Sequence, residues 1–506
     1  MKNQYQINKK NIENEFKQRE NDWRNGSVVY QVLVDRFSPA ENLKEKLHLY
    51  QYPKKLKEWS DIPKPGPFLE DIKYCAHELD YWGGDLNSLN HKLEYIKSLG
   101  VDVVYLNPIH ESLSNHKYDA TDYLQITPEF GTFKDLKNLT DSIHKHEMKI
   151  MLDGVFNHVG VNSKLFLEAK NPRSPKHDWF DFNKKYPGGV RLWADVKSLP
   201  ELNLENQEVK DYIYKSEDSV IRSYLKKGID GWRLDVAFDL GYDVLRELTD
   251  SAHLEKPTSL VIGEIWNYPK KWLKSIDGLM NFTFREIILR SLRGQITPFQ
   301  TNQALSRTIK DAGINGILKC WNVLDNHDVP RLKHQLPNPH DQKLAQVMQF
   351  TLPGSPNLYY GTELGMDGEN DPMNRAPMRW DLVNDKNPYL IWTKSLIKMH
   401  QNERALRIGD FVGLITDQLI GYERVTDKVE DTVIVFINPL DKNICEDVLI
   451  PDSSMMNYSG FITLEGEKQP LELLAGFIRI SLSPKSFIIL KPQTEPKKSY
   501  TSYKRV

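Results

Sequence analysis

The chain has 506 residues, of which 67 are basic and 69 acidic, for a formal net charge of −2. Nothing electrostatic therefore points to nucleic acid or to an anionic membrane surface. A hydrophobic fraction of 40% and a charged fraction of 27% are those of a globular protein, and the length implies one large domain with smaller additions. Cys75, Cys320 and Cys445 lie far apart, odd in number and without metal-ligand spacing, so a reducing compartment is expected and a disulfide framework is not. The polar start offers no signal peptide, and no stretch approaches the roughly 20 apolar residues of a membrane span. The cytoplasm is the expected location.

In chain order, residues 1–22 are rich in Asn, Gln, Glu and Lys and read as a frayed helix or arm. Val28 to Val34 reads as a first strand ending in Asp35-Arg36-Phe37, and Ser38 to Leu79, rich in Pro, Lys and Glu, as a long loop. Leu86, Leu89, Leu93, Ile96 and Leu99 keep helical spacing, and Gly100 closes that helix. Further short apolar strands follow at 103–106, 149–155, 229–235, 260–265, around 278–282, at 318–324 and at 356–360, with helices expected near 133–147, 208–227 and 391–403. Eight strands alternating with helices imply parallel strands joined by right-handed crossovers. The expected fold is an α/β (β/α)8 TIM barrel, with an open doubly wound sheet as the competing arrangement.

One spacing is too long for a simple strand-helix-strand unit. The surplus at about 159–205, with His177-Asp178-Trp179-Phe180-Asp181-Phe182 and Trp193, reads as a small domain inserted after strand 3. Beyond 408 the pattern changes again. Strands at 432–437, 447–450 and 486–490 without intervening helices imply a C-terminal antiparallel β-sandwich over 409–492, then a disordered tail at 493–506. The catalytic barrel would span 23–408.

In a barrel of this kind, side chains at the C-terminal strand ends meet at one rim. Asp153 with Asn157-His158 closes strand three, Arg233 and Asp235 strand four, Glu264 and Trp266 strand five, and Asp325-Asn326-His327-Asp328 strand seven. Each has a bland reading as a helix cap, a turn or a buried ion pair. Their convergence from distant parts of the sequence is what carries chemistry. Arg233 and Asp235, at i and i+2, share one face, so the guanidinium is expected to hold the Asp235 carboxylate ionised. Two carboxyls on adjacent strand ends suit glycosidic cleavage, with Asp235 as nucleophile and Glu264, in apolar surroundings, as acid. A separation near 5–5.5 Å would mean retention of configuration, and about 6.5–9.5 Å inversion. No His-rich ligand set favours a metal.

Four stretches, Asp153-Gly154-Val155-Phe156-Asn157-His158, Gly231-Trp232-Arg233-Leu234-Asp235, Gly263-Glu264-Ile265-Trp266 and Asn326-His327-Asp328, resemble the four ordered signature regions of the α-amylase superfamily of glycoside hydrolases. The resemblance covers roughly 23–492 and takes in Trp82-Gly83-Gly84-Asp85-Leu86, Asn115-His116-Lys117-Tyr118-Asp119 and Pro353 to Gly361. It implies Asp235 as nucleophile, Glu264 as acid/base and Asp328 as third carboxylate. It further implies Arg233 holding Asp235, His158 and His327 on sugar hydroxyls, and Tyr118 stacked beneath the ring.

Leu199-Pro200-Glu201-Leu202-Asn203 and Asp371-Pro372-Met373-Asn374-Arg375, with Met378 and Trp380, look most like the neopullulanase, cyclomaltodextrinase and maltogenic amylase group, which adds Asp371 and Arg375 as substrate-binding residues. About 22 residues precede the first barrel strand where that group carries an N-terminal β-sandwich, so a monomer or weak homodimer is expected. No cofactor is required. A structural calcium is not supported by the loop after the first strand, which reads Ser38-Pro39-Ala40-Glu41-Asn42-Leu43-Lys44. The resemblance implies a retaining hydrolase cleaving α-1,4 and possibly α-1,6 bonds in maltooligosaccharides, cyclodextrins or related short α-glucans. A 4-α-glucanotransferase using the same site and an inactive glucan-binding or transporter-partner homologue are the alternatives.

Overall fold

The computed structural model of the chain describes residues 2–494. Eight parallel strands form one sheet: β1 (Val29–Val32), β2 (Val103–Leu106), β3 (Lys149–Gly154), β4 (Gly231–Leu234), β5 (Leu260–Gly263), β6 (Gly278–Leu279), β7 (Trp321–Val323) and β8 (Ser355–Tyr359). Their order is β6-β5-β4-β3-β2-β1-β8-β7, and a parallel bridge between Met280 and Trp321 joins the two edges. The barrel is closed, as the strand-helix alternation requires, and the open sheet is excluded.

Alternation along each strand separates two cores. Val29, Val103, Tyr105, Met151, Leu260, Ile262, Met280, Trp321 and Val323 pack together inside the barrel, while intervening residues such as Trp232 pack outward against the helices. Trp232 meets Phe156 at 5.4 Å and Tyr224 at 5.5 Å between ring centres. Gly231 opens β4 because the neighbouring strand comes too close for a side chain: a Cβ there would sit 2.2 Å from the Leu260 carbonyl oxygen.

The helices begin where their capping residues put them. Thr132 caps Phe133–Lys145 and Thr297 caps Pro298–Ala312, each in a reciprocal capping box. Gly100 closes Leu93–Leu99 with φ of 93°. Some expected elements differ. The expected helix over 86–99 is broken into Leu86–Asn90 and Leu93–Leu99. The long loop after β1 contains a 3-10 helix, Leu43–Tyr50, and short paired strands. Helices at Ala237–Glu255, Phe282–Leu292 and Pro339–Thr351 were not located from periodicity. An antiparallel pair, His110–Ser112 with Ala120–Ile126, stands between β2 and β3.

The arm before β1 is a continuous helix, Lys2–Asn21. Arg19 docks it, donating to the Asn315 side chain at 2.8 Å, the Ile408 carbonyl at 3.1 Å and Asp410 at 2.8 Å. The segment after β3 folds around Phe166, Trp179, Phe180 and Phe182 with a short helix, Lys164–Ala169, and isolated bridges.

After the barrel come β9 (Asp410–Gly413), β10 (Ile420–Val425), β11 (Val433–Asn438), β12 (Ile444–Leu449), β13 (Phe461–Gly466), β14 (Phe477–Leu482) and β15 (Ser486–Pro492). Five of them form an antiparallel sheet, β9-β10-β11-β15-β13, facing the pair β12-β14 across an apolar core. Arg424 of β10 is fully buried and donates to the carbonyls of Thr351, Leu406, Gly409 and Asp410, tying the sheet to the last barrel helices. Of the tail expected to be disordered, 495–506 lie outside the described residues.

Candidate active site

One layer above the apolar lumen, the inward positions turn polar. Arg233 in β4 is completely buried, and its guanidinium lies 2.8 Å from Asp153, 3.1 Å from Asp235 and 2.9 Å from Glu264. These acids reach it from β3, from the residue after β4's last and from the residue after β5. Glu264 is further fixed by two donors, the Val236 backbone N–H at 3.1 Å and Trp266 Nε1 at 3.1 Å. Val236 takes φ of 39°, a left-handed conformation that a β-branched residue holds only under constraint, and this aims its N–H at Glu264.

Burial pushes the Asp235 carboxyl well above its ordinary range. Arg233 pulls the other way, while Glu264, Asp153 and Asp328 push with the burial. Arg233 does contact Asp235, and it also meets Asp153 and Glu264, so its pull on the Asp235 carboxyl is shared among three acids and works against the burial. Four carboxyls, Asp153, Asp235, Glu264 and Asp328, gather around the Arg233 and Arg375 guanidiniums.

The opposite wall is built from Tyr118, in the loop of the antiparallel pair, and from the segments after β7 and β8. The Tyr118 hydroxyl donates to Asp153 at 2.9 Å, accepts from Asn107 at 3.0 Å and meets His327 Nε2 at 2.5 Å. Gln31 Nε2 stands 2.8 Å from His327 Nδ1, which makes Nδ1 the acceptor and places the ring proton on Nε2. Burial keeps His327 neutral by pushing its pKa well down. Its ring lies nearly parallel to that of Tyr118, with centres 5.3 Å apart, side by side through the hydroxyl contact. Arg375 donates to the His327 carbonyl at 2.9 Å and approaches Asp328 at 3.5 Å and Asp371 at 3.3 Å. His158 contacts the Tyr118 carbonyl at 3.1 Å and stacks on Trp193, and burial lowers its pKa to about 4.

A cleft of about 770 Å³ opens over this floor, lined by Tyr118, His158, Asp235, Glu264, Asp328, Asp371 and Arg375 among others. All nine expected residues are therefore brought together, seven along the cleft and Arg233 and His327 buried beneath it. Sequence reasoning missed Glu78, whose ion pair with His116 at 3.2 Å stands at the cleft edge, and the supports Gln31 and Asn107. The last two had a usable signal, since each lies two residues beyond an inward-facing strand residue, Val29 and Tyr105. Trp193, Val196 and Leu199 of the segment inserted after β3 close one side, and Trp193 Nε1 donates to Asp239 at 3.1 Å. Among the described residues, no group of three or more His, Cys, Asp or Glu is placed to hold a metal ion, and no helix is long and apolar enough to cross a membrane.

The model of the alpha amylase catalytic domain matches residues 31–407. The chain belongs to the alpha-amylase family. This enzyme is 32% identical over 426 residues to neopullulanase 2 of Thermoactinomyces vulgaris, a match covering 79% of this chain and 69% of that one. It is 33% identical to the intracellular maltogenic amylase of Bacillus subtilis, covering 82% and 69%. Among solved structures, the debranching enzyme of Nostoc punctiforme superposes with a TM-score of 0.77 at 27% identity, covering 93% of this chain and 99% of the other.

Proposed function

We propose that this family member is a retaining glycoside hydrolase that cleaves α-1,4-glucosidic bonds in maltooligosaccharides and related short α-glucans by double displacement. Similarity to proteins named neopullulanase, cyclomaltodextrinase and maltogenic amylase supports the substrate class. The observation that carries the mechanism is the Arg233 guanidinium in contact with both Asp235 and Glu264 on the cleft floor. One guanidinium touching both carboxyls favours the close pair, about 5–5.5 Å apart, over the wider pair that leaves room for a water.

In this reading Asp235 attacks the anomeric carbon while Glu264 gives a proton to the departing oxygen. The aglycone leaves as an alcohol, and the sugar is bound as an ester to Asp235. Glu264, now a carboxylate, takes a proton from water. The resulting hydroxide equivalent displaces Asp235 and regenerates both groups. Asp328 and Arg375 grip the hydroxyls of the distorted ring, His327 and His158 offer neutral imidazoles to it, and Tyr118 lies along its face.

The test is the anomeric proton spectrum in the first minutes of maltotriose cleavage. The new reducing end should be the α anomer, relaxing later to the equilibrium mixture. An initial β anomer would exclude Asp235 as nucleophile.

A further inference from the structure

On the Glu264 side the cleft is bordered by aromatic rings whose exposed faces the chemistry above leaves unused. Phe238 and Trp266 line the cleft and are each 49% exposed. Beyond Phe238 lies Tyr242, 39% exposed, with one face stacked on Trp272 at 4.1 Å and 28°. Trp272 is almost fully buried in the β5–β6 connection and also meets Phe238 at 5.3 Å. Two exposed rings are thus held on one buried indole.

The backbone arranges this. Gly241 takes φ of 75° and ψ of 167°, which interrupts Ala237–Glu255 between the two rings and turns both toward Trp272. Scattered single aromatics on a surface need no explanation, but two exposed rings that share one buried support, the nearer of them lining the cleft, form a platform. Flat rings of this kind stack on the apolar faces of sugars. The direction follows from the proton transfer: the acid must stand beside the departing oxygen, so the glucose units of the leaving chain pass Glu264, Trp266 and Phe238.

We propose that Phe238 and Tyr242, backed by Trp272, form a binding platform for α-1,4-linked glucose units beyond the first one on the leaving side. The platform selects longer chains both as substrates and as acceptors. It rests on the reading of the cleft given above.

The experiment compares kcat/KM for maltoheptaose and maltotriose in the full-length enzyme and in Tyr242→Ala, Tyr242→Phe and Leu254→Ala. Both substrates are read on one protein preparation, so any loss of folded molecules cancels in the ratio. Tyr242→Ala should lower the heptaose-to-triose ratio about tenfold, equivalent to about 1.4 kcal/mol, and Tyr242→Phe should restore it. Leu254→Ala, at an exposed position farther along the same helix, should leave the ratio as it was. If the wild type cleaves both sugars and Tyr242→Ala keeps its ratio within about twofold, the platform is refuted while the hydrolase reading stands. If the wild type cleaves neither, the hydrolase reading falls and the platform falls with it.

Discussion

The barrel interior and its upper rim are made by the same strands, and a two-residue step along a strand changes their character completely. In β3 the step runs from Met151 to Asp153, and from β5 onward it runs from Ile262 to Glu264. The lower layer is a close-packed apolar plug. The upper layer is a cluster of acids sharing too few cations, supported by a valine in the left-handed region. Fold stability is concentrated in the lower layer, and the upper layer gives up stability for reactivity.

That division can be broken by substitution. The largest effect should come at the rim. Asp235→Asn is expected to lower kcat on maltotriose about 10⁴-fold or more, and Glu264→Gln about 10²–10⁴-fold. Neither should lower the melting temperature, because each removes one acid from an undercompensated cluster. Near-normal turnover in either variant would remove the role assigned. The lumen should behave in the opposite sense. Ile262→Ala is expected to cost about 2–5 kcal/mol in urea unfolding while folded molecules keep their turnover. A variant that loses turnover without losing stability would show that the two layers are not separable.

A smaller effect sharpens the contrast from outside the barrel. Glu423, in β10, is buried in the C-terminal sheet with Oε1 lacking a hydrogen-bond partner, and burial, aided by Asp452, pushes its pKa up to about 8 from the usual 4.5. Between those values the folded state holds a proton that the unfolded chain has released. The contribution of this group to stability is therefore complete below about 4.5, falls as the pH rises, and is lost by about 8. Glu423→Gln should flatten that decline and raise Tm at alkaline pH, by about 2–4 °C for each kcal/mol recovered. A melting profile identical to the wild type across that range would contradict it.

Much of this was legible because barrel strands are short, apolar and separated by helices, and because strand ends must meet at a rim. The positions of Asp153, Arg233, Asp235, Glu264 and His327 follow from strand order alone. The sharing of Arg233 did not, since sequence shows its neighbour Asp235 but not that Asp153 and Glu264 meet the same guanidinium. Helix Ala237–Glu255 escaped because Gly241 breaks its rhythm near the start. Strands β9, β10, β13 and β14 escaped for a different reason. Phe477–Leu482 is short and its apolar residues are interrupted by Arg479 and Ser481, while Ile420–Val425, though buried, carries Gly421, Glu423 and Arg424 among its apolar residues.

Arg424 has a consequence for the integrity of the whole chain. Its guanidinium occupies a buried junction and answers four carbonyl oxygens, from Thr351 at the end of one helix, Leu406 in a second, and Gly409 and Asp410 where the chain enters the sheet. Peeling the sheet away would strand a positive charge on one fragment and unmet acceptors on the other. The two lobes are thereby welded into one cooperative unit, and the hydrolytic half cannot be excised from its companion without loss.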